Sequence, residues 1–425
     1  MANFSAIPCS GWDNVTARAL LRDMFDAAVS AADPVKILAA HLPSRPRGRC
    51  IVVGAGKAAA MARAVDAAWP DVDLRGAVVV PYGYALAAGR IAVLEAAHPV
   101  PDANSTAAGR TMLDLVSGLS PDDLVLALVS GGGSSVLASP AEGLTLADKQ
   151  RVNRVLLASG LDIRTMNAIR RRVSAIKGGR LAAAAAPARV VTLTISDIPG
   201  DDVSAIASGP TIADPDPARD LSPFAARYRE ELGEAVYACL VSEPPPAPAI
   251  TAEDVRLIAT PRQALDAASA IARTAGIEVV SLGDDLESES SEVGRDMARI
   301  ARSSGKTPRI LLSGGETTVT IGDGATGRGG RNTEFALALA LELDGRPGVW
   351  CLAADTDGED GTSGGGAGAF VAPDTLARAR AAGVDPAESL RRHDSGSFFE
   401  RVGDLLVTGP TLTNVNDFRA VLIAH

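Results

Sequence analysis

The sequence predicts an α/β protein built as two domains with largely parallel sheets. Three observations predict it: strand and helix patterns alternate along the chain, Ala, Val and Leu dominate a composition with only eight Phe, four Tyr and three Trp, and a proline run interrupts the order past the midpoint. Alternating strands and helices fold as parallel sheets with helices on their faces, and ligands gather at the carboxyl ends of the strands. A chain of 425 residues also exceeds what one core supports, since single cores seldom grow beyond about 250 residues.

The elements follow in order. Residues 15–42 show helical periodicity, with Ala17, Leu20, Leu21, Met24, Phe25 and Ala28 on one apolar face. Short apolar runs at 50–53, 76–80, 91–95, 124–129 and 190–195 read as buried strands, and longer periodic stretches at 58–68, 105–117, 145–158 and 163–175 read as the helices between them. A Pro and Asp cluster at 212–223 precedes a helix pattern at 224–241. Residues 243–249, EPPPAPA, forbid both helix interior and central strand, which sets the expected organisation: a first domain at 1–242, a linker at 243–250 and a second domain at 251–425, with the opening helix able to pack on the second domain. In the second half strands are expected at 255–258, 278–282, 309–312, 349–353 and 404–407, and helices at 261–276, 290–303 and 332–343.

Composition narrows the function. Hydrophobic content of 47% against 22% charged residues excludes general disorder. The net charge of −10, with a pI near 5.1 and no basic stripe, argues against nucleic acid as a partner, so an anionic ligand needs local cations. Cys9, Cys50, Cys239 and Cys351 form no metal-ligand spacing and read as buried thiols in a reducing compartment, and the four histidines are too dispersed for a metal site. No apolar run reaches the roughly 18 residues of a membrane span, and the N-terminus lacks the basic then apolar order of a signal peptide, so the expected location is cytoplasmic with no membrane partner. A homo-oligomer stays open.

Four constellations could carry chemistry. Residues 51–60, IVVGAGKAAA, lead a strand into Gly54, Gly56 and Lys57 at a helix N-terminus, where dipole, amides and a full positive charge favour an anion. The same run fits G-x-G-x-x-A, but a dinucleotide site expects an acid ending the next strand, and here Pro81 and Tyr82 stand there. Phosphate or carboxylate binding is the favoured reading, ahead of a dinucleotide and of a merely capped helix. Second, Ser130, Gly131, Gly132, Gly133, Ser134 and Ser135 fit a polyphosphate through backbone amides, or else a plain turn, and a similar Ser-Gly-Gly ends the strand at 309–312 with Gly314 and Gly315. Third, Asp197 ends a strand and Asp201 and Asp202 follow Pro199-Gly200; such acids hold Mg²⁺ or accept a proton, or simply cap the next helix. Fourth, Arg328 and Arg331 open a helix with Asn332, where like charge opposes the dipole unless an anion offsets it, and Asp355, Asp357, Glu359 and Asp360 crowd negative charge after the next strand. His98, in HPVPDANS, is the one histidine in a distinctive loop.

Together GAGKAA, HPVPDANS, VSGGGSS, IKGGRLA, SDIPGDDVSAIASGPT, SGGETTVTI, GRGGRNTEFALALA, TDGEDGTSGGGAGA and TGPTLTNVND resemble the glycerate 2-kinase family, also called the MOFRL family, whose members once carried the name hydroxypyruvate reductase. The resemblance spans Gly54 to Asp417. It implies two three-layer α/β domains with the active site in a cleft between them, and ATP-dependent, Mg²⁺-assisted phosphorylation of D-glycerate at its 2-hydroxyl. By motif it implies Lys57, Arg331 and Asp197 as catalytic residues; Gly54, Gly56, the 130–135 loop, Gly314 and Gly315 toward ATP; His98, Arg328 and Asn332 toward glycerate; and Asp197 and Asp357 toward Mg²⁺. The chain departs from the pattern with Ser135 for a common alanine, Thr333 for glutamine, Asp355 for glycine, and no Pro-Thr-Asp at 362–366. The alternative is an NAD(P)H-dependent hydroxypyruvate reductase.

Overall fold

The computed structural model describes residues 12–244, 246, 250, 254–305, 307–322 and 327–424. Cys9, His425 and part of the proline-rich linker lie outside the described residues. The chain forms two compact units: one of Asp33–Asp197 with Asp201–Ile258, the other of residues up to Ala32, Ile198–Gly200 and the chain from Ala259 onward.

The first unit holds a six-stranded parallel sheet in the order β3-β2-β1-β4-β5-β6, with β1 Cys50–Ala55, β2 Leu74–Pro81, β3 Ile91–Ala96, β4 Leu124–Val129, β5 Arg189–Ile195 and β6 Val255–Ala259. Every residue of β1 and β4 is buried, as expected of central parallel strands covered on both faces. Ile51, Val53 and Ala55 share one core cluster with Ala108 and Met112 of the helix Ala103–Leu115. A separate helical cluster joins Val152 and Leu156 of Leu146–Ala158, Ile169 of Ile163–Arg172, and Phe224, Leu232 and Val236. The helix expected at 224–241 is three pieces, Ser222–Arg227, Arg229–Leu232 and Glu234–Val241, the last two parted at Gly233 with φ of +79°. β6 lies beyond the prolines yet completes this sheet, with Thr192 N donating to Asp254 O at 2.8 Å, so the unit runs to Ile258 rather than stopping at 242.

The second unit holds a mixed sheet in the order β11-β10-β9-β12-β8-β7, from β7 Glu278–Ser281, β8 Arg309–Ser313, β9 Val349–Asp355, β10 Gly368–Val371, β11 Leu405–Leu406 and β12 Asp417–Ile423. Only β7 and β8 pair in parallel; β12 inserts antiparallel to both β8 and β9, and β10 antiparallel to β9. The α/β class holds, and strand direction is where this sheet departs from the parallel expectation. The helix Arg331–Leu343 is buried almost all round, packed with Ser290–Ser303 and under β9. The opening helix runs Asn14–Ala31 and belongs to this unit: Phe25 meets Phe418 edge-on at 5.7 Å, and Trp350 Nε1 donates to Asn14 Oδ1 at 2.8 Å. It stops short of 42 because Asp33 caps a new turn that begins at Pro34.

Candidate active site

In the first unit β1 and β4 are parallel neighbours with Ala55 opposite Val129, so the turns that follow them lie side by side. Gly56 has a φ of +96°, and a Cβ there would fall 2.1 Å from the Ser130 carbonyl oxygen, so only glycine allows the two backbones to approach this closely. Gly56 N donates to Val79 O at 3.0 Å, Lys57 N to Gly131 O at 3.0 Å and Ala58 N to Gly56 O at 2.7 Å. The amides of this turn are therefore engaged within the protein, and the Lys57 ammonium lies 5.1 Å from the centre of the Tyr84 ring. Gly54 lies inside β1 against Leu128.

The loop after β4 is different. Among the described residues the amides of Gly131 and Gly132 donate to nothing, and Ser130 Oγ is buried without a partner. Gly133 packs on Ala207, Ser134 Oγ meets Ser208 Oγ at 3.0 Å, and Ser135 Oγ meets His98 Nδ1 at 2.7 Å. Burial, then the charges of Lys57 and Arg170, push His98 below its ordinary range, so it is neutral near pH 7. Asp197 follows β5, the next strand in the sheet, two residues past its end at Ile195. Asp202 caps its own turn, accepting Ser204 N at 3.0 Å and Ser204 Oγ at 2.7 Å, whereas among the described residues Asp201 Oδ1 is buried without a partner. The structure thus brings Lys57, the 130–135 loop and His98 together.

In the second unit the antiparallel insertion of β12 sets its first residues level with the last of β8 and β9: Asp417 opposite Asp355, Arg419 opposite Ser313. Arg331 reaches this edge from its helix, with Nε 2.8 Å from Asp417 Oδ1, Nη2 2.6 Å from Asp355 Oδ2 and Nη1 3.3 Å from Glu316 Oε1. Although burial opposes its charge, the carboxylates of Asp417, Asp355 and Glu316 hold this guanidinium well above its ordinary range. The anion that offsets a cation at this helix start is therefore supplied by the protein. Asp360 completes the cap, accepting Asn332 N at 2.9 Å and Thr333 N at 2.8 Å; burial pushes its carboxyl up against those hydrogen bonds.

Asn332 is fully enclosed, with Nδ2 2.7 Å from Asp417 Oδ1 and with Oδ1 buried without a partner among the described residues. Arg328 is half exposed and paired with Glu400. Gly315, at φ +98°, abuts Leu286, and Arg419 Nη1 holds the Gly314 carbonyl at 2.8 Å. Asp357 N donates to Asp355 Oδ1 at 3.0 Å, and Asp357 Oδ1 accepts Glu359 N at 2.8 Å, which fixes that carboxylate. A cavity of about 520 Å³ opens beside Arg331, lined also by Glu316, Thr318, Ile321, Glu334 and His393. Among the described residues no group of three or more His, Cys, Asp or Glu is arranged to hold a metal ion.

Comparison with known proteins decides the lineage. A model described as a domain of unknown function, DUF4147, matches residues 20–241, and that of the MOFRL family matches residues 309–417. A D-glycerate 2-kinase of Thermotoga maritima is 36% identical over 97% of this chain and 100% of its own. The chain belongs to the MOFRL, or glycerate 2-kinase, family. The crystal structure of a Thermotoga maritima glycerate kinase superposes on this MOFRL chain with a TM-score of 0.85 at 35% identity, covering 96% of this chain and 100% of that one. A protein of Agrobacterium vitis, provisionally named hydroxypyruvate reductase, is 56% identical over 97% of this chain and 96% of its own.

Sequence reasoning missed Asp417 as a partner of Arg331, Arg419 as the second partner of Asp417, and the buried position of Lys149 in the first unit beside the partly buried Arg170. Asp417 closes the motif TGPTLTNVND, which signals it; Arg419 stands inside DFRAVLI, where a charge in an apolar run asks for a buried partner. Lys149 and Arg170 carry no such signal. Cys50 and Cys351 are buried free thiols, Cys50 pushed up to about 12 by burial, while Cys239 is half-buried.

Proposed function

We propose that the protein transfers the γ-phosphoryl group of ATP to the 2-hydroxyl of D-glycerate, giving 2-phosphoglycerate and ADP. The observation that carries this reading is the loop after β4, where among the described residues the amides of Gly131 and Gly132 are unspent and Ser130 Oγ is buried without a partner beside Lys57. Unspent amides and hydroxyls in a glycine turn, with a lysine next to them, are what a polyphosphate needs. The names of the relatives from Thermotoga maritima and Pyrococcus horikoshii support glycerate as the acceptor.

The 2-hydroxyl oxygen forms the new bond to the γ-phosphorus, the bond to the β,γ-bridging oxygen breaks with its electron pair leaving on ADP, and the hydroxyl proton passes to Asp197. Lys57 neutralises charge on the transferred group, and such preorganised charge is the main catalytic resource in phosphoryl transfer. Arg331, one guanidinium against three carboxylates, acts as a positioning residue for Asp355 and Glu316. Mg²⁺, a hard cation that takes carboxylate and phosphate oxygens, would neutralise the phosphates; Asp197, which follows β5 in the unit that carries Lys57 and the 130–135 loop, is the carboxylate we assign to it. Asp197 then serves as base or as metal ligand. We place the reaction in the cytoplasm, as expected from the sequence.

The rival reading, NAD(P)H-dependent reduction of hydroxypyruvate, has the Agrobacterium relative's name and the GAGKAA motif behind it. Gly56 speaks against it: the space that the second glycine of a dinucleotide turn leaves for a pyrophosphate is taken here by the carbonyls of Ser130 and Gly131. Incubation with D-glycerate and MgATP under a coupled ADP assay, with phosphorus NMR of the product, and separately with hydroxypyruvate and NADH, tests the two. NADH oxidation without ADP formation sinks the kinase reading.

A further inference from the structure

Four cationic side chains are buried among the described residues: Lys149, Arg171, Lys177 and Arg419. Arg419 is paired with Asp417, and Arg171 Nε lies 2.9 Å from Asp214. Among the described residues the two lysines have no carboxylate within ion-pair distance, and neither has Arg170, which stands with them. Taking a charge out of water costs several kcal/mol per ion unless a counter-charge answers it, and three cations within reach of each other add repulsion. The protein pairs its buried arginines and leaves this group unanswered.

The surroundings are built rather than accidental. Lys149 and Asn153 are four apart on one face of the helix Leu146–Ala158. From that helix Asn153 Nδ2 donates to Pro99 O and Gln150 Nε2 to Pro101 O at 2.9 Å, which binds the His98 loop to it. On the helix Ile163–Arg172, Arg170 Nη1 donates to Asn167 Oδ1 at 3.3 Å; Asn167 accepts Ser208 Oγ at 2.8 Å, and Ser208 meets Ser134 of the glycine loop. Lys177 Nζ donates to Ala207 O at 2.9 Å, holding Ala207 and Ser208 at φ of +51° and +60°, a left-handed conformation that non-glycine residues avoid. Strain of this kind persists where the surroundings enforce it.

We propose that Lys149 and Arg170 bind the carboxylate of the hydroxy-acid substrate, with Lys177 and Asn167 as positioning residues. This rests on the kinase reading: there the phosphates of ATP meet Lys57 and the unspent amides of Gly131 and Gly132, and the other anion of the reaction is that carboxylate. A planar guanidinium fork matches a carboxylate, and a nearly enclosed lysine admits a small anion. The subsite makes the carboxylate a condition of turnover, so glycerol, which keeps the hydroxyls and lacks the acid, is a poor acceptor. Burial, with Arg170 beside it, brings Lys149 down to about 7 in the free protein; the groups that face it are Arg170, Arg180 and Cys239, with Lys177 nearby and His98 facing Arg170 and Lys57.

Steady-state kinetics of Arg170→Met, Lys149→Met and Arg170→Lys on the full chain test the proposal. Losing a charged hydrogen bond to the substrate raises KM for D-glycerate about 10- to 100-fold in each Met variant, with KM for ATP within about twofold and Arg170→Lys in between. A rise in KM for ATP with that for D-glycerate unchanged assigns the cluster to phosphate and overturns the proposal, as does no change in either. Should the Met variants fail to fold, calorimetry on the wild type still decides: at pH 8 D-glycerate binding takes up a proton, seen as a buffer-dependent enthalpy, and zero uptake overturns the proposal. If the wild type binds D-glycerate through Arg170 yet makes no ADP, the kinase reading fails and the subsite stands. ADP formation at unchanged D-glycerate KM in the variants gives the reverse.

Discussion

Replacing Asp417 by asparagine keeps the shape of the side chain and removes the charge on which two arginines converge. Asp417 Oδ1 lies 2.8 Å from Arg331 Nε, its other oxygen bonds Arg419, and both Asp417 and Arg419 side chains are 0% exposed. Arg331 keeps Asp355 at 2.6 Å and Glu316 at 3.3 Å, so the loss falls on Arg419, whose ion pair with Asp417 is its only one among the described residues. Breaking a buried pair from one side costs about 3–5 kcal/mol, because the remaining charge is stranded. For a unit of this size each kcal/mol lowers Tm by about 2–4 °C, so thermal unfolding followed by circular dichroism should fall by roughly 6–20 °C. The double variant Asp417→Asn with Arg419→Met, which removes both charges, should recover much of that loss. An Asp417→Asn protein that melts within about 2 °C of wild type would refute the reading that this carboxylate balances Arg419.

Other expectations follow from the same geometry. Asp197→Asn should lower kcat by about 100-fold or more if the carboxylate takes the hydroxyl proton, and near-normal turnover removes it from that role. Gly56→Ala forces a methyl to within 2.1 Å of the Ser130 carbonyl at a φ of +96°, so stability should drop by at least about 1–3 kcal/mol in denaturant titration, together with a fall in kcat. Lys149 is lowered to about 7 in the folded chain, below the ordinary lysine range near about 10, so between those values the unfolded chain holds the proton and the folded chain does not. Stability of the wild type relative to Lys149→Met should therefore rise as pH climbs from 7 towards 10; equal melting differences at pH 7 and 9 would contradict it.

Most strands were legible because each is a short apolar run closed by glycine, proline or acid, and parallel burial makes such runs continuous. β12 was not, since Asp417 and Arg419 interrupt its pattern and make sense only once β8 and β9 flank it. β10 begins directly after a glycine-rich stretch that reads as loop. At the site, Lys57 and the 130–135 loop announce themselves by residue type. Arg331 announces a charge at a helix start, yet its three partners come from separate points in the chain, which no local pattern can supply. Lys149 and Arg170 look like the solvated face of amphipathic helices, and only the folded chain shows Lys149 buried and Arg170 partly so.

The two units dispose of charge in opposite ways, and the difference follows from topology. In the second unit an antiparallel strand delivers Asp417 and Arg419 to the edge where β9 delivers Asp355, so acids and arginines neutralise each other within the protein. In the first unit every strand points the same way, the strand ends carry glycine turns and hydroxyls, and the helices that carry Lys149 and Arg170 bring one acid, Asp148, which is paired with Arg151. A sheet edge of that kind is destabilised when empty and relieved by an anion, and binding energy then concentrates on ligands that carry the missing charge. Lys149 and Arg170 would cost the fold less as apolar residues. The anion they are placed to receive explains their presence: Arg170 is linked through Asn167 to Ser208 and Ser134, and Lys149, held below its ordinary range by burial and by Arg170, regains its proton when that anion arrives.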